Sequence, residues 1–283
     1  MSLWRELISD NPLVTDRSIL VRRLVGGSQT GRLVLAAVLL GVVLLMLSAI
    51  AGLFPQVMTP KAVVYIQTGL FCFLPATMLY GAVASEREKR TWDLLAVAPL
   101  TGAQIVIGKY LAAMSLVFAV FIMFLVPAGI SEAARVSGGS LFYWAPDAIT
   151  LPQYIGIQGI SIVFAAALGA VSLFVSCLFN RGFTALLTVL TLEAGALILA
   201  PILIGVALPF GVDYQAFLSW HPFFAIEILS RVPERGVSNQ IADQSAALIS
   251  PAICVVVTGV ALWLAAGSAG VPGAPRRLRD AGA

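Results

Sequence analysis

Charged residues are scarce in this sequence, at 11% of 283 residues, while hydrophobic residues make up 59%. Ordinary water-soluble domains carry about a quarter charged residues. The shortage excludes an ordinary soluble globular domain and leaves lipid as the solvent, in keeping with a mean hydropathy of +0.96. Histidine is scarcer still. His221 is the only one, which removes most zinc-protease and Ser-His chemistry, because both need partners. It reads as an interfacial polar residue beside Trp220. Cys72, Cys177 and Cys254 are the only cysteines. Their spacing matches no metal site, and an odd, widely separated set inside apolar runs is no disulfide framework, so they read as small core residues. Also missing are a basic-aromatic groove for nucleic acid, a repeat of roughly 20–50 residues and a second soluble domain.

What the sequence has instead is long apolar runs. A bilayer core of roughly 30 Å takes about 20 apolar residues per helical crossing. Six runs qualify: about 33–54, 63–84, 107–129, 154–178, 182–208 and 246–267. They do not alternate apolar and polar residues as barrel strands do, and an open sheet edge is not viable in hydrocarbon. The expected fold is therefore all-α and polytopic, with about six transmembrane helices. The first run starts behind a charged stretch and is too long for a signal-peptide core, so it counts as a retained span. The organisation expected is an N-terminal region over 1–32, a six-span domain over 33–267 and a Gly- and Pro-rich disordered tail over 268–283.

Lysine and arginine set the orientation. With six crossings both termini share one side. That side collects Arg5, Arg17, Arg22, Arg23, Arg32, Arg87, Lys89, Arg90, Lys109, Arg181, Arg276, Arg277 and Arg279, against Lys61, Arg135, Arg231 and Arg235 on the other. The bias puts both termini in the cytoplasm and the chain in the cell membrane as a multi-pass protein. The basic residues at span ends set topology and touch anionic lipid rather than nucleic acid. The stretch 12–25 gathers Leu13, Val14, Leu20, Val21, Leu24 and Val25 on one helical arc, with Arg17 and Ile19 out of pattern. It predicts an amphipathic interfacial helix ahead of the first span. On the outer side, Phe142, Tyr143 and Trp144 suit a headgroup belt.

Between the second and third runs lies SEREKRTWDLLAVAPLTGAQIVIGK, residues 85–109. Ser85 and Glu88 have capping-box spacing, so a helix can start after Ser85. Thr91, Leu94, Leu95 and Ala98 then share a face. Pro99 ends that helix, because proline disfavours helical geometry in the residue before it. Thr101 and Gln104 form a second capping box, starting a helix at Gly102 that runs into the third span. Local signals leave two readings open: a stiff lever joined to two spans, or a solvated loop whose charges only enforce topology.

The run EREKRTWDLLAVAPLTGAQIVIGKYLAA resembles the cytoplasmic segment between spans two and three in permease subunits of ATP-binding-cassette transporters of the type-2 export family. The residues that carry the resemblance are Glu86, Glu88, Thr91, Asp93-Leu94-Leu95, Pro99-Leu100-Thr101 and Gly108-Lys109. Arg90 departs from it, standing where that pattern usually has glycine. The motifs cover about a tenth of the chain; the six-span layout, the amphipathic N-terminal helix and the Asn11-Pro12 start also resemble the family. The resemblance implies that 85–106 is a coupling segment docking into a separate ATPase through Glu86, Glu88, Thr91, Trp92, Asp93, Leu94, Leu95 and Pro99. It further implies an exporter working as a permease dimer, of identical or paralogous subunits, with two ATPase copies that bind ATP and Mg.

This chain itself is expected to hold no cofactor or metal and to catalyse nothing. GAQIVIGKY has five residues between Gly102 and Gly108, whereas a phosphate loop needs four, and Tyr110 replaces the required Ser or Thr. The SGGS at 137–140 resembles a fragment of the ATPase signature but falls on the outer side.

Glu193 lies inside the fifth run, eleven residues past Gly182 and so near mid-membrane at about 1.5 Å per residue. An ionisable group at that depth costs roughly 3 kcal/mol and usually faces a bundle interior. One reading makes it a lining of the translocation path or dimer seam; the other is a protonated carboxyl bonded to a hydroxyl such as Thr188 or Ser161. Ser161, Ala165 and Gly169 form a small-residue stripe at intervals of four, which suits close helix packing inside one subunit or at a dimer interface. Two other functions stay open: an ion- or proton-coupled secondary transporter using Glu193, and a membrane scaffold or assembly factor without transport.

Overall fold

The computed structural model describes residues 39, 42–43, 46, 60–92, 100–136, 151–199, 201–202, 206, 221–230 and 237–269. The interfacial helix over 12–25, nearly all of the first run, the outer aromatics 142–144 and the tail beyond 269 lie outside the described residues, as do Asp93, Leu94, Leu95 and Pro99.

Every regular element among the described residues is helical. In chain order these are α1 (Pro60–Leu79), α2 (Ala84–Glu88), α3 (Gly102–Val136), α4 (Leu151–Leu178), α5 (Gly182–Ala194) with a π turn directly after it (Gly195–Leu199), α6 (Pro222–Ser230) and α7 (Val237–Ser268). Five stretches are long and apolar enough to cross a membrane: Val64–Glu88, Gly102–Ile122, Gln153–Leu178, Gly182–Leu199 and Leu248–Ser268. The chain is a multi-pass membrane protein, all-helical among the described residues.

Two helices outgrow the expected spans. At 35 and 32 residues, α3 and α7 are each about 50 Å long at 1.5 Å per residue, well beyond a 30 Å hydrocarbon core. α3 continues through 131–136 and α7 starts at Val237, both in stretches the sequence reading assigned to outer loops. Ser131–Glu132–Ala133–Ala134–Arg135 holds no glycine or proline to stop a helix.

α4 is the central post. It touches α1, α2, α3, α5, α6 and α7, and 67% of its apolar window is buried against 22% for α7. Its seam with α1 is built from small and polar residues. Thr68 and Ser161 share a hydrogen bond at 2.8 Å, and Ala165 joins Phe71, Val117, Val120 and Phe121 in one apolar cluster. A Cβ added at Gly169 would stand 3.0 Å from the Pro75 Cβ, so the two helices meet there at glycine distance. The Ser161–Ala165–Gly169 stripe is therefore an intrasubunit seam, used for close approach. All three cysteines are buried and unbridged.

α6 closes the bundle at the end away from α2. Ile226 packs with Val64, Tyr154 and Ile157, and the Tyr65 hydroxyl donates to Glu227 at 2.5 Å.

Candidate functional site

The chain does not cross from α1 to α3 as one lever helix. α1 gives way to a turn at Tyr80–Val83 and then to α2, which stops at Glu88. A Schellman motif ends α2: the Thr91 N–H bonds to Glu86 O at 2.9 Å and the Arg90 N–H to Arg87 O at 3.1 Å. That motif puts Arg90 at φ 57°, a left-handed conformation that glycine adopts without penalty and other residues avoid. The expectation of a continuous helix from Ser85 towards Pro99 is thus corrected at Lys89–Arg90.

The Ser85–Glu88 capping box is also absent, for a physical reason. The backbone arrives already helical at Val83, and the Ser85 N–H is bonded to Gly81 O at 3.1 Å. No orphan amide is left to cap. The Ser85 hydroxyl instead donates to Gly81 O, and Glu88 reaches another helix. By contrast Thr101 and Gln104 make the reciprocal pair, Thr101 N to Gln104 Oε1 at 2.8 Å and Gln104 N to Thr101 Oγ1 at 3.2 Å.

The charged residues around α2 tie together the ends of four other helices. The Ser176 hydroxyl, on α4, accepts from the N–H groups of Val83 at 2.9 Å and Ala84 at 3.1 Å. Arg87 donates to Cys177 O at 2.6 Å, at the end of α4, and to Ser268 O at 3.4 Å, at the end of α7. Both acceptors belong to last-turn carbonyls that lack intrahelical partners, where a cation also suits the helix dipole. Glu88 Oε2 accepts the Gly182 N–H at 2.9 Å, the mirror-image role at the first turn of α5. Lys109, in α3, is 7% exposed and pairs with Glu86 at 2.5 Å while donating to Ala82 O at 2.6 Å. Trp92 is buried in the apolar cluster formed by the ends of α1, α3, α4 and α7, with the Arg87 guanidinium 5.5 Å from its ring centroid. Gly102 fits this junction because a Cβ there would meet Ala266 O at 3.2 Å.

Of the residues expected to contact an ATPase, Glu86 and Glu88 thus make contacts inside this chain and Trp92 is in the core. Thr91 is exposed, its hydroxyl turned back to Glu86 O at 3.2 Å. Arg87, Lys109 and Ser176 escaped the sequence reading as site residues. Lys109 had a signal, a lone lysine inside an apolar run; the partners of Arg87 lie 90 and 181 positions away and left none.

A second constellation lies within the bundle. Glu193 is 3% exposed, and neither carboxyl oxygen has a hydrogen-bond partner. The hydroxyls suggested for it are engaged elsewhere: Thr188 donates to Thr184 O and Ser161 to Ile157 O. Cys72 and Cys254 share one apolar cluster with Phe164, Ala167 and Leu197 of the π turn that follows Glu193. That turn begins two residues past Glu193. Its Leu197 carbonyl stands 3.3 Å from Nε2 of the buried His221. Burial holds the His221 imidazole below its ordinary range, against the raising effect of that carbonyl. Among the described residues no group of three or more His, Cys, Asp or Glu side chains is arranged to hold a metal.

No protein-family model matches the chain, and no curated protein does either.

Proposed function

We propose that this chain is the membrane-spanning permease subunit of an ATP-binding-cassette transporter, an exporter driven by a separate ATPase. The observation that carries this reading is the clasp around α2. A charged segment that only enforced topology would be solvated, whereas this one is bonded to the ends of α3, α4, α5 and α7. A displacement applied to it reaches those four helices through short polar contacts, with Trp92 as an apolar anchor. Residues 93–99 continue directly from Trp92 and carry the Asp93-Leu94-Leu95 and Pro99 steps of the family resemblance. They, with Thr91, are the residues proposed to contact the ATPase.

In this reading two ATPase copies serve two permease subunits, identical or paralogous, in the cell membrane with both termini cytoplasmic. ATP-driven closure of the ATPases moves the segment, and the clasp spreads that motion over the bundle. The two end states must differ in their contacts with the ATPase for the coupling to work. Co-purification tests this. The wild type is expected to bring down a phosphate-loop ATPase encoded beside it. Leu94→Asp with Leu95→Asp is expected to lose that ATPase while keeping wild-type yield and elution. Retention of the ATPase by the double variant overturns the docking site, and flux without any ATPase overturns the motor.

A further inference from the structure

Among the described residues Glu193 is the buried side chain with two unbonded polar atoms, where the Tyr154 hydroxyl and Glu86 Oε2 are single ones. Gln67 and Gln158 satisfy each other at 2.9 and 3.1 Å, and Thr68 and Ser161 do so at 2.8 Å. Glu193 is equally deep, yet both its oxygens are orphaned. The titratable side chain coupled to it is the buried Cys72 thiol of α1, which shares an apolar cluster with Cys254 of α7. α4 adds Phe164 and Ala167 to the same apolar cluster. An ionised carboxylate with no cation and no donor is among the costliest groups to bury, and such a group takes up a proton instead.

The backbone beside it departs from regular α-helix. The π turn at Gly195–Leu199 begins two residues after Glu193, and it has an open flank, since a Cβ at Gly195 would meet nothing within 4 Å. A π turn holds one residue more than regular α-helical bonding. Its conversion to α would rotate Glu193 by about 100° relative to the helix beyond. His221 Nε2 stands 3.3 Å from Leu197 O within that turn.

We propose that Glu193 is a proton-binding site. In the arrangement described its carboxyl carries the hydrogen. Release breaks the carboxyl O–H bond, passes the proton to water and leaves a carboxylate, which the apolar pocket cannot hold. Loss of the proton therefore drives the π turn out of its present register. This inference does not depend on an ATPase, and its test does not involve one.

The full-length protein in lipid nanodiscs supplies the test. Infrared difference spectra between wild type and Glu193→Gln at neutral pH are expected to contain the carbonyl stretch of a protonated carboxyl, lost in the variant. Dicyclohexylcarbodiimide, a lipophilic reagent that needs a protonated carboxyl, is expected to modify wild-type Glu193 in preference to the exposed Glu88. Hydrogen exchange of the amides at 194–199 is expected to be faster in wild type than in Glu193→Gln at alkaline pH and equal at neutral pH. A carboxylate band in place of the protonated one overturns the site, whatever the carbodiimide does. Equal exchange at both pH values overturns its link to the π turn.

Discussion

Arg90 is the residue at which sequence and structure meet most directly. It was legible as a departure from the family pattern, a charged residue where glycine is usual, but its meaning was not. The Schellman motif supplies it: α2 needs a left-handed residue to stop, and Arg90 supplies it at φ 57°. A non-glycine residue in that conformation costs about 1 kcal/mol. Arg90→Gly is therefore expected to raise the thermal unfolding midpoint in detergent, by the equivalent of roughly 1 kcal/mol. A lowered midpoint would mean that the Arg90 side chain contributes more than its backbone costs. His221 gives a second prediction. Sequence alone made it an interfacial polar residue on the outer face; the fold buries it against the π turn, outside the five candidate spans. Its pKa is lowered from 6.5 by burial, so the folded state binds its proton less readily than the unfolded state. Stability is then complete above about pH 6.5 and falls as the pH drops through that value. The unfolding midpoint of the wild type should decline over that range, and that of His221→Gln should decline less.

At the scale of elements, what could be read was what local rules control. The Thr101–Gln104 pair starts α3 because the chain enters it with free amides; Ser85 and Glu88 have the same spacing but enter from backbone that is already helical. A capping box is a statement about orphan N–H groups, and sequence spacing does not count them. The clasp was illegible for a related reason, since Arg87 and Glu88 are matched to helix ends 90 to 181 positions away in the chain. Unequal mutational costs follow. Glu88→Ala removes one acceptor at an exposed first turn, about 0.5–1 kcal/mol. Arg87→Ala removes bonds to the ends of two helices and the cover over Trp92, and should cost about 2–3 kcal/mol. Arg87→Lys should recover little of it, because one ammonium cannot reproduce the forked donors that reach both Cys177 O and Ser268 O. Midpoints ordered wild type, Glu88→Ala, then Arg87→Lys close to Arg87→Ala would bear this out. If all three variants lie together near wild type, the clasp is not a fastening.

For the whole molecule, apolar length carried the fold class, since crossing a bilayer is a demand on composition alone. Where composition is permissive it carried less: α3 and α7 run on past the membrane because nothing in 131–136 or 237–247 breaks a helix. Both extensions lie at the end opposite the clasp, as does α6. In the proposed function the clasp end, with its excess of Lys and Arg, faces the cytoplasm. The native thiols favour a direct test, because all three are buried and a membrane-impermeant maleimide should leave them unmodified in intact cells. Lys89→Cys, at an exposed position of the clasp, should label only after the membrane is permeabilised. Ser140→Cys, in the segment between α3 and α4, should label without it. The opposite pattern would put the clasp outside the cell, beyond the reach of any cytoplasmic ATPase, and would remove the proposed drive while leaving the fold and the Glu193 site intact.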